Sequence, residues 1–596
     1  MPKPVASDTE LIAAVSAWLA ALNAGWDSQQ PGMVSDLFEP DGYWKDIVSF
    51  TWAYRTFAGA EEIERGFKLT MPDARPRDAR LAPDRTAPRL VKRSARPVIE
   101  AYFDFDTAAG RGTGFVRLPY DPAQPGQPKA WILLTTLQEL HGAPERLGAH
   151  RPTGEAFSRN FAGENWLDQR IKAQAYRDRD PEVVIVGGGH SGLILAARLS
   201  MTGVDTLVVE RNPRVGDNWR NRYHSLTLHN EVWANSMPYL PFPPNWPTFL
   251  PKDKLAGWLE AYAEAMELNV WTGTTFEGGE YDDATGTWTT RMTLPDGTGR
   301  TIRCRHLVLA TGGSSGVPNL PDLPGLAGFG GEVLHSSAFG SGTSYRGKHA
   351  IVFGTGNSGH DVAQDLHANG AAQVTIIQRS PTCVVSLVPS GTMVYALYSE
   401  GPPVDDIDMI TAAIPYPVLR DTYQWLTRRT CSLDSELLGR LHTAGFETDY
   451  EPDNTGFHMK YLRKGGGYYI NVGCSDLIAG GDIALRHARD IDRFEAGGLR
   501  FCDGTVVPAD LVVLATGYAN LQEGVRRLLG DEVADRVGPI WGFDEHGAMR
   551  NMWMRTAQPG FWVMGGSLID ARLYSKFLAV QIKAQLDGVF PAALAV

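Results

Sequence analysis

The chain has 596 residues, enough for about four domain-sized units at roughly 150 residues each, so a small stapled scaffold is excluded. Hydrophobic residues make up 43% and charged ones 21%, which excludes a chain that is disordered or fibrous throughout. Asp plus Glu (68) outnumber Lys plus Arg (56), a net charge of -12, and this mild acidity lacks the basic footprint that nucleic-acid binding needs.

Five cysteines, Cys304, Cys383, Cys431, Cys474 and Cys502, are odd in number and never spaced CxxC, which argues against a disulfide framework, a zinc cluster or a redox dithiol. The start MPKPVASDTE has no basic region followed by an apolar run, and no stretch of about 18 apolar residues goes uninterrupted. A cytoplasmic protein with no membrane span and no metal site is expected.

In chain order, Ser7 and Glu10 have capping-box spacing, and Leu11, Val15, Trp18, Leu19 and Leu22 repeat at helical period until Gly25, where the helix is expected to stop. Pro40-Asp41-Gly42 reads as a turn. Strand-like runs follow at Val98 to Phe105, Phe115 to Leu118 and Trp131 to Leu140, so residues 1–145 read as an α+β domain. Seven arginines between Pro72 and Pro97 (Arg75, Arg77, Arg80, Arg85, Arg89, Arg93, Arg96) are either a solvated loop or a basic patch docking on the acidic remainder. Residues 146–180, polar throughout, read as a linker. Asp46 and His141 are candidate acid/base groups of the first domain, or satisfied structural ones.

Val183-Val184-Ile185-Val186 has the continuous β-branched pattern of a buried parallel strand. It runs into Gly187-Gly188-Gly189-His190-Ser191-Gly192 with a helix behind. In that context Gly187 permits the tight turn, Gly189 lets backbone approach a pyrophosphate, and Gly192 lets helix pack on strand. Thr206 to Val209 is the next strand and ends in Glu210, an acid placed for an adenosine ribose; it disfavours a 2′-phosphate, so FAD or NAD is expected here.

The pattern recurs. Ala350 to Phe353 leads into Gly354-Thr355-Gly356-Asn357-Ser358-Gly359 and a helix from His360. The following strand, Val374 to Ile377, runs through Gln378 to Arg379 and Ser380, a cation where the first unit has an acid. A guanidinium there suits the 2′-phosphate of NADPH. Two further apolar runs, Leu307 to Gly312 and Leu511 to Gly517, end in Ala-Thr-Gly, with Thr311, Gly312, Thr516 and Gly517 as cofactor contacts. Both read as returns of the chain to the flavin domain, bracketing the NADPH unit as an insertion. The expected division is therefore 1–145 α+β, 146–180 linker, 181–340 FAD-binding, 341–508 NADPH-binding with a helical insertion at about 400–465, and 509–596 FAD-binding again. The fold class is α/β with two Rossmann-like domains behind an α+β domain. The insertion either walls a substrate pocket with Tyr416, Tyr423, Trp425, Leu426 and Phe457 or packs on the surface.

Two resemblances follow from these residues. The piece FEPDGYWKDIVSFTWAYRTFAGAEEIERGF with the strands behind it resembles the NTF2-like (SnoaL-like) cone fold, which implies a curved sheet wrapped by helices. Phe329-Gly330-Gly331-Glu332-Val333-Leu334-His335-Ser336-Ser337-Ala338-Phe339 resembles the F-x-G-x-x-x-H-x-x-x-(W/Y/F) fingerprint of class B flavoprotein monooxygenases, and RGKHAIVFGTGNSGHDVAQDL with VTIIQRSPT resembles the YUCCA-type branch. Together they cover about residues 181–596. Phe339, where Baeyer–Villiger enzymes are expected to carry Trp, favours the simple flavin-containing monooxygenase branch.

The resemblance implies FAD and NADPH as cofactors, O2 and a small organic molecule as substrates, and an oxygen adduct at flavin C4a that hands one oxygen to a sulfur or nitrogen. Baeyer–Villiger oxidation, oxidative decarboxylation of an α-keto acid, and plain NADPH oxidase activity are the alternatives. It further implies that Arg211 and, within the stretch Gly216 to Arg220, Trp219 contact the flavin, that His229 and Asn230 are the catalytic donors, either of them being the one that acts, unless both are ordinary turn residues after a strand, and that His335 links domains. Ser191, Ser380 and Asp570 are also cofactor contacts, with Asp570 and Ser567 just ahead of a C-terminal helix expected at Leu573 to Gln581. A homodimer is a candidate assembly, and the first domain is read either as a pocketed catalytic unit or as a binding or dimerisation module without chemistry. No Ser-His-Asp order or HExxH competes, as expected where the cofactor carries the chemistry.

Overall fold

The helix behind Ser7 forms as expected in a computed structural model that describes residues 7–121, 128–153, 161–313 and 316–591. It spans Asp8–Ser28: the Glu10 N–H donates to the Ser7 hydroxyl, and the Ser7 N–H donates to the Glu10 carboxylate. Gly25 does not end it. This glycine lies inside the helix because a Cβ there would stand 2.8 Å from Cγ2 of Val34, so it marks a close crossing rather than a stop. Pro40-Asp41-Gly42 is likewise no turn; it is an irregularity in the strand Phe38–Ile47, where the register slips between Phe38 and Tyr43.

Phe38–Ile47 belongs to a seven-stranded sheet in the order Tyr54–Ala58, Phe38–Ile47, Ala130–Leu140, Gly110–Pro119, Arg96–Asp106 and Arg77–Leu81, with Arg89–Arg93 also pairing with Arg96–Asp106. Side chains alternate between its faces. On one face Trp44 stacks on Phe67 of the helix Gly59–Ala74, centroids 3.8 Å apart at 5°. On the other, Ile47, Tyr54, Val98, Tyr102, Ile132 and Leu134 join a single apolar cluster with Val183 to Val186 and the helix Leu568–Leu586. A sheet covered on both faces explains the unbroken apolar run from Trp131 to Leu137.

The arginine-rich stretch is not a solvated loop. It contributes the strands Arg77–Leu81 and Arg89–Arg93, and its cations dock on the helical insertion: Arg85 meets Asp406 at 2.8 Å, while Arg89 and Arg93 each bridge buried Glu100 to Glu400. Asp46 and His141 are satisfied structural groups. Asp46 accepts from Ser49, Thr51 and Thr135 and from the Phe50 and Thr51 N–H groups; the His141 ring meets the Thr107 carbonyl at 3.0 Å. Within the stretch expected as a linker, Trp166–Ala175 is a helix with its own capping box, and Arg170 bonds Asn269 at 2.9 Å.

The rest of the chain builds one four-strand order twice, with the fifth strand beside the Ala-Thr-Gly strand coming from after the unit in the first sheet and from ahead of it in the second. The first all-parallel sheet has the order Asn269–Trp271, Thr206–Val209, Val183–Val186, His306–Leu309 and Phe561–Val563; the second has Glu332–His335, Leu511–Leu514, His349–Phe353, Gln373–Gln378 and Ala484–His487. In each unit a three-stranded antiparallel meander, Thr275–Cys304 or Ile491–Pro508, comes just before the strand that ends in Ala-Thr-Gly. One expectation is corrected here. Leu511–Leu514 does not return to the first sheet: it lies between Glu332–His335 and His349–Phe353, with Val513 opposite Val352 and Leu334. The chain re-enters the first sheet at Phe561–Val563, paired with His306–Leu309. The second sheet thus draws strands from both sides of the expected 341–508 boundaries.

Candidate functional site

The two glycine-rich loops obey the same backbone constraints. Gly187 and Gly354 have φ of +114° and +109°, a conformation that side chains rarely adopt. A Cβ on Gly192 or Gly359 would stand 2.0 Å from the carbonyl of Gly187 or Gly354. Beneath each loop runs its own Ala-Thr-Gly: a Cβ on Gly187 would meet the Ala310 carbonyl at 2.5 Å, and one on Gly354 the Ala515 carbonyl at 2.3 Å. That is the reason the tripeptide occurs twice, and it places Thr516 and Gly517 at the second loop, not the first. Gly189 and Gly356 cap the helices His190–Met201 and Asn357–Ala368, whose N-termini, with Ser191, Asn357 and Ser358, face the same space.

At the first strand ends, Glu210 is buried. Its carboxylate accepts from the Gly188 N–H at 2.8 Å and from the Asn212 N–H and side-chain amide at 2.8 and 2.7 Å. Around this loop the Oδ1 of Asn218, Nε1 of Trp219 and Nδ1 of His190 are buried without a protein partner, as fits a crevice shaped for a polar ligand. At the second, Arg379 and Ser380 are exposed at the cavity edge, and among the described residues Arg379 makes no ion pair.

Both loops open into one cavity of about 2790 Å³, several times the ordinary ligand pocket and large enough for two dinucleotides. His229 and Asn230 line it, along with Arg211, Thr311, Gly312 and Asp570. They are not turn residues but part of the strand Thr227–Glu231, paired with Phe249–Pro251. Burial pulls the His229 imidazole down to about 4, so it is neutral at working pH. The strand packs against the segment Gly391–Ser399, which brings Tyr395 into the same lining.

His335 lies beside the Ala-Thr-Gly support of the second loop. Its ring bonds the Gly517 carbonyl at 3.1 Å and the Ser337 hydroxyl at 2.9 Å, and packs edge-on to Tyr518. The C-terminal helix is longer than expected, Leu568–Leu586, so Asp570 sits in its first turn and forms a capping box with Ser567. Burial raises the Asp570 carboxyl, against hydrogen bonds from Ser567 and from the Tyr461 hydroxyl at 3.2 Å.

Three helices of the insertion, Val404–Ala413, Tyr416–Leu433 and Gly456–Lys464, contribute to the lining, with Tyr416, Tyr423, Trp425, Leu426 and Phe457 among its residues, while the fourth, Ser435–Thr443, packs away from it. With them comes an aromatic wall that sequence reasoning missed. Tyr461 packs on Trp541 (5.4 Å), Trp541 on Trp553 (6.2 Å), and Trp553 stacks on Tyr574 (4.2 Å, 11°). These residues come from separate segments, and no local spacing links them. Arg572 locks the wall: its guanidinium holds both Asp408 oxygens of the insertion at 2.7 Å and the Ala234 carbonyl at 3.0 Å.

Against known proteins, the sequence profile of the pyridine nucleotide-disulphide oxidoreductases matches residues 181–396. Indole-3-pyruvate monooxygenase YUCCA1 of Oryza sativa subsp. japonica is 33% identical over 343 residues, 57% of this chain and 77% of the rice protein. The chain belongs to the flavin-dependent monooxygenase family. It is thus an NADPH-dependent flavin monooxygenase, and FAD and NADPH are its cofactors. Among solved structures, the flavin-containing monooxygenase of Stenotrophomonas maltophilia aligns at 19% identity with a TM-score of 0.46, over 68% of this chain and 99% of that one. Cyclohexanone monooxygenase of Rhodococcus sp. Phi1 aligns at 16% and 0.48, over 68% and 84%. Among the described residues, no helix is long and apolar enough to cross a membrane.

Proposed function

We propose that this enzyme transfers one atom of O2 to a small organic substrate, with S- or N-oxygenation favoured, and that the Glu210 crevice holds FAD while the Arg379 crevice holds NADPH. The observation that carries this is the pair of glycine loops with the same backbone constraints, facing one cavity with opposite charges at their strand ends.

Gly187, Gly189, Ser191 and Gly192 then cradle the flavin pyrophosphate, Glu210 and Arg211 its ribose side, and Trp219, Thr311, Gly312 and Asp570 its ring end. Gly354, Gly356, Asn357, Ser358 and Gly359 hold the second pyrophosphate, Arg379 and Ser380 its 2′-phosphate, with Thr516 and Gly517 beneath. When bound, the two cofactors supply hydride transfer and oxygen activation. The chain's residues orient and shield. Neutral His229 and the Asn230 amide present N–H groups toward the reacting centre, and the Tyr461–Trp541–Trp553–Tyr574 wall keeps water out.

The N-terminal unit, a sheet with helices on one face, fits an NTF2-like cone that serves as a fixed layer of the enzyme. Phe339, which is buried, supports the S/N-oxygenating branch. The identity to a protein named an indole-3-pyruvate monooxygenase supports a second reading, oxidative decarboxylation of an α-keto acid. NADPH consumption with product mass spectrometry over a sulfide, an amine, a ketone and an α-keto acid tests both. A protein that binds no flavin, or consumes NADPH without any oxygenated product, refutes the proposal.

A further inference from the structure

The cavity is not built by the dinucleotide units alone. The strands Phe38–Ile47 and Tyr54–Ala58 of the N-terminal sheet send Lys45, Ile47, Tyr54 and Thr56 into its lining. Strand alternation puts Lys45 on the face of Ile47, opposite the core-facing Trp44 and Asp46. The face is seated firmly: the Tyr54 hydroxyl donates to the Trp553 carbonyl at 2.9 Å, and its ring lies 5.8 Å from Tyr574 of the aromatic wall.

Lys45 stands out within that surface. Its ammonium donates to the Ile414 carbonyl at 3.3 Å, and among the described residues no carboxylate pairs with it. Several other cations of the lining are matched: Arg93 and Arg117 with Glu100, Arg463 with Asp453, Lys460 with Asp449. Burial pulls the Lys45 ammonium to about 8, so it stays charged at neutral pH. A charge withdrawn from water and left without a counter-charge costs free energy unless a ligand supplies one.

We propose that Lys45 is a specificity-determining residue of the oxygenation site, through which the N-terminal domain selects substrates that carry an anionic substituent such as a carboxylate. This rests on the functional reading of the cavity given above. The apolar walls, Ile47, Tyr54 and Tyr574, suit an aromatic or aliphatic body behind that anion.

The test uses flavin-loaded full-length protein and two probes, 4-(methylthio)phenylacetate and its methyl ester, titrated calorimetrically so that binding is read without turnover. The wild type is expected to bind the acid about ten-fold or more tightly than the ester, in line with one charge-assisted hydrogen bond. In Lys45→Met the acid falls to the level of the ester; in Lys45→Arg a preference for the acid persists. Melting temperature and flavin content check that each variant is folded. Equal binding of acid and ester by the wild type, binding of neither, or an unchanged acid preference in Lys45→Met overturns the assignment. A protein that takes up no FAD at all instead defeats the functional reading, which separates the two failures.

Discussion

Gly356→Ala isolates the role of the second loop from its fold. A Cβ on Gly356 would have nothing nearer than the Tyr468 carbonyl at 3.7 Å, and the residue has φ of -82°, open to any side chain. The substitution therefore costs the folded protein only the difference between Gly and Ala as an N-cap, about 0.5 kcal/mol. Its methyl instead occupies the space where, on the proposed assignment, the NADPH pyrophosphate approaches the backbone. Loss of one or two charge-assisted N–H contacts, about 1.5–3 kcal/mol each, raises the NADPH dissociation constant about ten-fold or more. Gly359→Ala is the control. There the Cβ would lie 2.0 Å from the Gly354 carbonyl, a backbone atom that cannot yield, so the loop and helix must separate and the melting temperature falls. Stopped-flow flavin reduction against NADPH concentration, beside thermal melting of both variants, gives the comparison. If Gly356→Ala melts several degrees lower with unchanged NADPH affinity, the loop does not do what its geometry implies.

Three further outcomes are expected. Arg379→Ala raises KM for NADPH about ten- to a hundred-fold and leaves KM for NADH unchanged, since only the 2′-phosphate is lost as a partner; equal losses with both coenzymes would place the phosphate elsewhere. Asp408→Ala strands the Arg572 guanidinium, 2% exposed, and costs about 3–5 kcal/mol by urea denaturation, whereas a cost under about 1 kcal/mol would mean that water reaches the site. His360 is held down to about 4 by burial, below an unfolded value of 6.5, so as pH falls the unfolded chain takes a proton that the folded one refuses. The stability lost between pH 7 and pH 5 through this residue is about 2 kcal/mol, and the cost of His360→Asn should shrink by that much over the same range; a cost that stays constant would show that His360 is not held neutral.

Local features were legible in the sequence wherever a short-range steric rule decides them. Both glycine loops, the strands leading into them and the Ser7 capping box lie where residue order alone places them. Misreadings arose where tertiary contact decides. Leu307 to Gly312 and Leu511 to Gly517 look alike because each passes under a glycine loop, but which sheet each joins depends on pairings with Val183–Val186 or His349–Phe353 that no local pattern carries. Gly25 and Gly42 resemble breakers in isolation, yet close approach of Val34 in one case and a strand irregularity in the other absorbs them. The arginine run resembles a solvated loop because its partners, Glu400 and Asp406, lie some 300 positions away (|i−j| of 307 to 321). The aromatic wall was invisible for the same reason.

The clamp between the arginine strands and the insertion bears on how the cavity stays closed. Glu100 has no exposed side-chain surface; burial alone would raise its carboxyl, but Arg117, Arg93 and Arg89 hold it down to about 2. Arg93 and Arg89 reach onward to Glu400, and Arg85 and Thr86 hold Asp406, whose backbone carbonyl also accepts from Tyr102 at 2.8 Å. Two residues past Asp406, Asp408 grips Arg572 of the C-terminal helix. The helix Val404–Ala413 is therefore pinned by the N-terminal sheet on one side and by the flavin-side helix on the other, and it carries the aromatic residues of the next helix over the site. Loosening either anchor should widen the space around Asn230 and Asp570. Because Glu100 titrates at 4.5 when unfolded and about 2 when folded, the clamp's contribution is complete above pH 4.5 and declines as pH falls toward 2. An enzyme oxygenating in a dry pocket would then lose coupling between NADPH consumption and product before it loses flavin, and acid titration with both readouts measures that order.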